Sequence, residues 1–175
     1  EEESKDRLEF FADMAEKHLE QEKKEESSGT NLYPVFENGK WGFKNKEDKT
    51  LISPVYDSIK EYHSQGLAPV QKDGKWGFID EKGEEVISCK FEDVKLFDDQ
   101  GYAAFCENGK WGYMDMSGKV IVKAQYEDAG DFSGNGLASV KKDGKWGWIN
   151  ENGEVVIEPI YEMVSEFDKK GLAVV

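Results

Sequence analysis

"KDGKWGFIDEKGEE", Lys72 to Glu85, decides how this chain folds, because close copies of it stand on both sides. The tryptophans of the Trp-Gly pairs are Trp41, Trp76, Trp111 and Trp146, separated by 35 residues each time without an insertion. A fixed period of this length marks a repeat architecture in which each unit is one supersecondary element. Around every tryptophan the same phase holds. Gly39, Gly74, Gly109 and Gly144 stand two residues before it, and Gly42, Gly77, Gly112 and Gly147 directly after it. An aromatic follows at Phe43, Phe78, Tyr113 and Trp148, and another with an acid behind it at Tyr56-Asp57, Phe91-Glu92, Tyr126-Glu127 and Tyr161-Glu162.

Physical chemistry turns these letters into strands. Asn38-Gly39, Asp73-Gly74, Asn108-Gly109 and Asp143-Gly144 lie between alternating segments, and Asn-Gly or Asp-Gly is the strongest short hairpin signal because both turn residues need positive φ. The second strand then meets Asp80-Glu-Lys-Gly83, Asp115-Met-Ser-Gly118 or Asn150-Glu-Asn-Gly153, a spacing that suits a type I turn followed by a left-handed glycine. In the first unit Asp48 replaces that glycine, which predicts a less regular turn there. A third strand runs through Val86-Ile87, Ile121-Val122 or Val156-Ile157, and a short fourth, such as Phe91-Glu-Asp-Val94, leads into the next unit. Alternation puts Trp76 and Phe78 on one face and Gly77 and Ile79 on the other, so the units carry a ladder of paired rings. Gly77, without a Cβ, admits another backbone or ring against the strand. A meander of this size cannot bury both faces alone, so units must stack, with the ring ladder as the expected interface.

The expected fold is an all-β repeat array of stacked three- to four-stranded meander units. An open superhelix or solenoid is favoured over a closed propeller, because Asn31-Leu32-Tyr33-Pro34-Val35 and Gly171-Leu172-Ala173-Val174-Val175 both match the strand that opens a unit. The expected domains are residues 1–30, an N-terminal amphipathic helix and linker, and residues 31–175. The second holds four repeats, 31–65, 66–100, 101–135 and 136–170, plus the first strand of a fifth, and the expectation is that the array continues beyond Val175. In the leading segment Leu8, Phe11, Ala12, Ala15 and Leu19 recur at helical spacing, with acids early and Lys23-Lys24 late. It reads as a cap on the end of the stack. The chain starts at Glu1 without Met, as a trimmed or processed piece would.

Composition bounds the function. The formal net charge is -14, from 37 acidic and 23 basic residues, which argues against a phosphate-backbone partner or an anionic membrane surface. No apolar run is long enough to insert into a bilayer. Five Trp, seven Tyr and ten Phe supply an aromatic core that a disordered acidic chain lacks. Cys89 and Cys106 have no metal-ligand spacing and read as two small semi-buried residues. The two histidines, His18 on the helix and His63 between units, leave no material for a histidine triad or a multi-histidine metal site. Asp98-Asp99 and Glu84-Glu85 read as solvated surface acids, and Asp80 to Glu84 lacks the alternating ligands of a calcium loop. No catalytic residue, metal ligand or cofactor is expected, and the chain is read as no enzyme.

The recurrent Gly-Lys-Trp-Gly, the ring two residues after each Trp, the Asp-x-x-Gly turn and the Gly-Leu-Ala at unit boundaries together resemble the bacterial WG-repeat (KWG-repeat) family. The resemblance covers Asn31 to Val175. It implies a tandem β-repeat module of bacteria, often secreted or in the cell envelope, that binds or scaffolds without chemistry of its own. The function expected is a noncatalytic module with a protein partner, the alternative being a repeat that binds a carbohydrate, cell wall or cell-surface glycan. In this reading Trp41, Trp76, Trp111 and Trp146 serve the core, and ligands are sought where the copies disagree, at Gln125, Asn135, Glu166 and Lys170.

Overall fold

The computed structural model describes residues 32–60, 66–165 and 173–175. The chain divides into two units, Glu1–Asn31 and Leu32–Val175, and every described residue belongs to the second. The expected helix, His18, His63, Glu166 and Lys170 lie outside the described residues.

Among the described residues fifteen strands form four antiparallel sheets. The first holds β1 (Tyr33–Glu37), β2 (Lys40–Lys44) and β3 (Thr50–Tyr56). The second holds β4 (Ser58–Ile59), β5 (Leu67–Lys72), β6 (Lys75–Asp80) and β7 (Glu85–Phe91). The third holds β8 (Asp93–Val94), β9 (Tyr102–Glu107), β10 (Lys110–Asp115) and β11 (Val120–Tyr126). The fourth holds β12 (Asp128–Phe132), β13 (Leu137–Lys142), β14 (Lys145–Asn150) and β15 (Val155–Tyr161). The array is open, not closed into a barrel. The short strand after each third strand pairs forward: Ile59 lies opposite Val70, and Val94 opposite Phe105. Each sheet change therefore falls at the repeated acid, at Asp57, Glu92 or Glu127.

The turns follow from their letters. Asp73 and Gly74 have φ of 52° and 74°, and Asn38, Asn108 and Asp143 with their glycines do the same. In the longer turn Gly83 N donates to Asp80 O at 3.0 Å, while Asp80 Oδ1 accepts from Lys82 N and Glu84 N. Asp48, expected to loosen its turn, keeps the same bond, from its N to Asn45 O at 3.0 Å, with φ 59°. Aspartate tolerates the left-handed region, and Gly83, Gly118 and Gly153 have a second requirement that Asp48 escapes. A Cβ on them would lie 2.9 to 3.1 Å from Ile52, Ile87 or Val122 of the preceding sheet.

The glycine after each Trp answers to the third strand. At Gly112 a Cβ would sit 2.4 Å from Val122 O and 2.6 Å from Ala124 N, and Gly42, Gly77 and Gly147 face their third strands at the same closest distance. The register of each third strand shifts at this point, a bulge that bends its backbone onto the glycine.

The joints between sheets are a ring ladder in part: Phe91 meets Phe105 at 4.7 Å and Tyr113 meets Phe132 at 4.9 Å between centroids, with mostly aliphatic partners around them. Phe43, Ile52 and Tyr56 of the first sheet pack on Ala68, Val70 and Ile79 of the second. Trp76, Phe78, Ile87 and Phe91 then pack on Ala103, Phe105 and Met114. Tyr113, Val122 and Tyr126 pack on Ala138, Val140 and Ile149. Each sheet thus presents a ring-rich face to its successor and a smaller, mostly aliphatic face to its predecessor.

Candidate interaction surface

The repeated polar residues are occupied by the fold. Glu92 Oε2 accepts from Gly109 N at 2.8 Å and Glu127 Oε2 from Gly144 N at 3.0 Å, so each acid caps the tight turn of the next hairpin. Asp57 accepts from Asp73 N at 2.7 Å in the same way and also pairs with Lys40, as Glu162 does with Lys145. The amide of Gly109 holds the Glu92 carboxyl below its ordinary range, and Lys40 does the same for Asp57. The acid is thus a repeated turn cap at Asp57, Glu92 and Glu127, and a lysine pairs with the acid at two of the four positions, Lys40 with Asp57 and Lys145 with Glu162.

The four tryptophans occupy the rim of the joints. Trp76 is buried, whereas Trp41, Trp111 and Trp146 are half-buried. The deep ring is the one two residues later: Phe43, Phe78, Tyr113 and Trp148 are at most 2% exposed. Lys60 Nζ sits 4.5 Å over the Trp76 ring and bonds Asp93 Oδ1 at 2.6 Å, and Lys95 covers Trp111 at 5.4 Å while bonding Ala129 O. A lysine thus clamps the indole of its own sheet and reaches the next sheet. Lys60 and Lys95 were not singled out from the sequence, although their one-period spacing was visible. At the next step Gly130 replaces the lysine, and Tyr113 Oη donates to Gly130 O at 2.7 Å instead. Phe36 is exposed and packs against Trp41, with ring centroids 4.8 Å apart and planes tilted by 42°.

Of the residues where copies disagree, Gln125 is exposed on β11, and Asn135 is exposed with its Oδ1 accepting from Leu137 N at 3.2 Å within its own turn. They are not brought together with any wider polar group. Among the described residues no group of three or more His, Cys, Asp or Glu is placed to hold a metal ion. Cys89 and Cys106 are free thiols, and burial pushes both up from the ordinary thiol range, away from the reactive thiolate. Asp98, raised by burial, accepts backbone bonds from Gln100, Tyr102 and Phe132. Its position is that of a turn cap bridging the third and fourth sheets.

What the fold leaves displayed is the outer strand of each sheet. β3, β7, β11 and β15 are all edge strands. Leu51, Val86 and Val156 recur on them at one phase and are exposed, with Ile121 half-buried between. Val55, Val120, Val155 and Ile160 add further exposed aliphatics to three of these strands, β3, β11 and β15.

The sequence pattern of the WG containing repeat matches residues 41–76, 76–111, 111–146 and 146–175. The chain belongs to this family. No curated protein matches it. Among solved structures, a eukaryotic initiation factor aligns at TM-score 0.52 with 11% identity, over 79% of this chain and 45% of that one. Hsv2p of Kluyveromyces lactis aligns at TM-score 0.47 with 13% identity, over 81% of this chain and 51% of that one. The WG chain spans about half the length of these proteins, and the likeness to the initiation factor is one of fold alone. The chain is a WG repeat module whose repeated Trp and acid positions take part in the packing and turns of successive sheets.

Proposed function

We propose that this WG module binds another protein along its outer edge strands, with one weak apolar contact per sheet combining by avidity. The observation that carries this reading is the recurrence of exposed Leu51, Val86 and Val156 on edge strands, the inner faces of β3 and β7 being already buried. Exposed aliphatics repeated on one element mark interaction surfaces. The triple variant Leu51→Ser/Val86→Ser/Val156→Ser tests it. The expected result is an unchanged fold and loss of a polypeptide that the wild-type chain retains from its native extract. Retention of the same polypeptide by the variant overturns the reading.

A carbohydrate ligand is the second reading, and the exposed Phe36 beside Trp41 is what favours it, since paired rings form a stacking platform. Glycan binding that disappears in Phe36→Ala and survives the triple variant replaces the first reading by the second.

A further inference from the structure

The tight turns that make this fold also carry a chemical hazard. Asparagine is a thermolabile residue, and it is most reactive before glycine, whose lack of a side chain leaves the next backbone nitrogen unobstructed. That nitrogen attacks the asparagine Cγ: the N–Cγ bond forms, the Cγ–Nδ2 bond breaks, and the amide proton leaves with the side-chain nitrogen as ammonia. Water then opens the succinimide ring to aspartate or isoaspartate. Four Asn-Gly pairs stand in the chain, at Asn38, Asn108, Asn135 and Asn152.

What holds the attacking N–H differs among them. Gly136 N donates to Ser133 O at 2.8 Å and Gly153 N to Asn150 O at 2.9 Å, both backbone bonds inside their own turns. Gly109 N donates to a charged side chain far back in sequence, Glu92 Oε2 at 2.8 Å. The residue at the same phase before Gly39, Glu22, lies outside the described residues.

Packing gives the Asn108-Gly109 turn no shelter. Both residues are exposed, with φ of 54° and 68°, and nothing lies within 4 Å of a Cβ built on Gly109. Glu92 opposes the reaction in two ways. Its charge-assisted hydrogen bond must break before the nitrogen can turn toward Cγ, and removing the amide proton would set a second negative charge beside the first. Nor does the carboxylate serve as a base, because the Gly109 amide holds it below its ordinary range.

We propose that Asn108 is a latent deamidation site and that Glu92 is its guard, a role for the repeated acid beyond capping the turn. The guard protects the register of the third sheet. β9 and β10 meet through a two-residue loop with Glu107 opposite Lys110, and isoaspartate would insert an extra backbone carbon into it. The next hairpin supplies a control, since Glu127 holds Gly144 N at 3.0 Å while Asp143 has no side-chain amide to lose. The site shares no residue with the outer edge strands, so either proposal can fail without the other.

The test incubates the 175-residue chain at mildly alkaline pH, below its melting temperature, and follows each Asn-Gly peptide by mass spectrometry. Glu92→Ala is expected to speed deamidation of Asn108 by about tenfold or more, the factor by which one charge-assisted hydrogen bond suppresses the state in which it is broken. Glu92→Gln, whose amide oxygen still accepts, speeds it less. Asn152, with its glycine held by Asn150 O, keeps its wild-type rate in both variants, and Glu127→Ala leaves Asn108 unchanged, which separates loss of the guard from general loosening. An Asn108 rate that is unchanged or lower in Glu92→Ala, a rise at Asn152 equal to that at Asn108, or an equal rise at Asn108 in Glu127→Ala overturns the proposal.

Discussion

Gly112→Ala isolates the physical role of the glycine in the Trp-Gly pair. Its φ lies outside the left-handed region, so space alone decides the outcome. The new methyl meets Val122 O at 2.4 Å and Ala124 N at 2.6 Å, where ordinary contact is 3.4 to 4 Å. β11 must retreat by roughly 1 Å from a bulge held between the Trp111–Tyr126 and Tyr113–Val122 pairs. Overpacking costs about 1 to 3 kcal/mol, and weakening two ladder bonds adds about 1 kcal/mol each. The stiffer unfolded chain returns roughly 0.5 kcal/mol. The net expectation is about 3 kcal/mol, or a fall in melting temperature of roughly 6 to 12 °C for a chain of this size. Gly109 is the control, because it has φ 68° and nothing within 4 Å of a Cβ. Gly109→Asn restores a residue type that tolerates positive φ, as Asn38 and Asn108 do, and is expected within about 0.5 kcal/mol of wild type. Urea unfolding of both variants settles the matter: if Gly112→Ala costs no more than Gly109→Asn, close approach is not why glycine follows each Trp.

Low pH should loosen the turn caps and ion pairs. Gly109 N lowers Glu92 and Lys145 lowers Glu162 from an ordinary 4.5, and Lys40 lowers Asp57 from 3.8. A carboxyl depressed in the folded state contributes stability above its unfolded pKa and loses it as pH falls through the folded value. Burial raises Asp98 and acts in the opposite sense, so its protonation offsets part of the loss. Urea midpoints are expected to drop as pH falls below about 4.5, with a shallower drop in Glu92→Gln; a midpoint that rises or an unaltered slope refutes the assignment. The sheet-to-sheet role of the turn glycines gives a directional pair. Gly83→Asp places a Cβ 2.9 Å from Ile52 Cγ1 and should destabilise by about 1 to 3 kcal/mol, whereas Asp48→Gly should change stability by less than about 1 kcal/mol in chemical denaturation. Equal effects would show that the preceding sheet does not govern the choice of residue.

Much of the fold was legible before any coordinate was known, because it depends on local rules. Asn-Gly and Asp-Gly set the tight turns through their backbone freedom, and the period set the unit. Alternation identified Phe78 and Ile79 as members of opposite faces. Long-range geometry decided the rest. Rings meet rings across the second and third joints, Phe91 on Phe105 and Tyr113 on Phe132, whereas at the first joint Phe43 and Tyr56 pack on Ala68, Val70 and Ile79. Of the tryptophans, the most conspicuous letter, only Trp76 is buried, under Lys60, while Trp41, Trp111 and Trp146 stay half-buried and the plainer aromatic two places later fills the centre. The candidate surface was less legible than the fold. Exposure of Leu51, Val86 and Val156 depends on which strand becomes the sheet edge, and that follows from Ile59 and Val94 pairing forward.

Sequence alone determined that this chain repeats a hairpin-rich β unit every 35 residues, since turn φ values and strand alternation act over a few neighbouring residues. Only the tertiary structure decided that the second, third and fourth sheets each gain a short strand from just past the repeated acid, which face looks forward, and why a side chain at Gly112 or Gly118 is crowded. Those facts reside in distances between segments far apart along the chain, where hard-sphere contact and dense packing act without regard to sequence order.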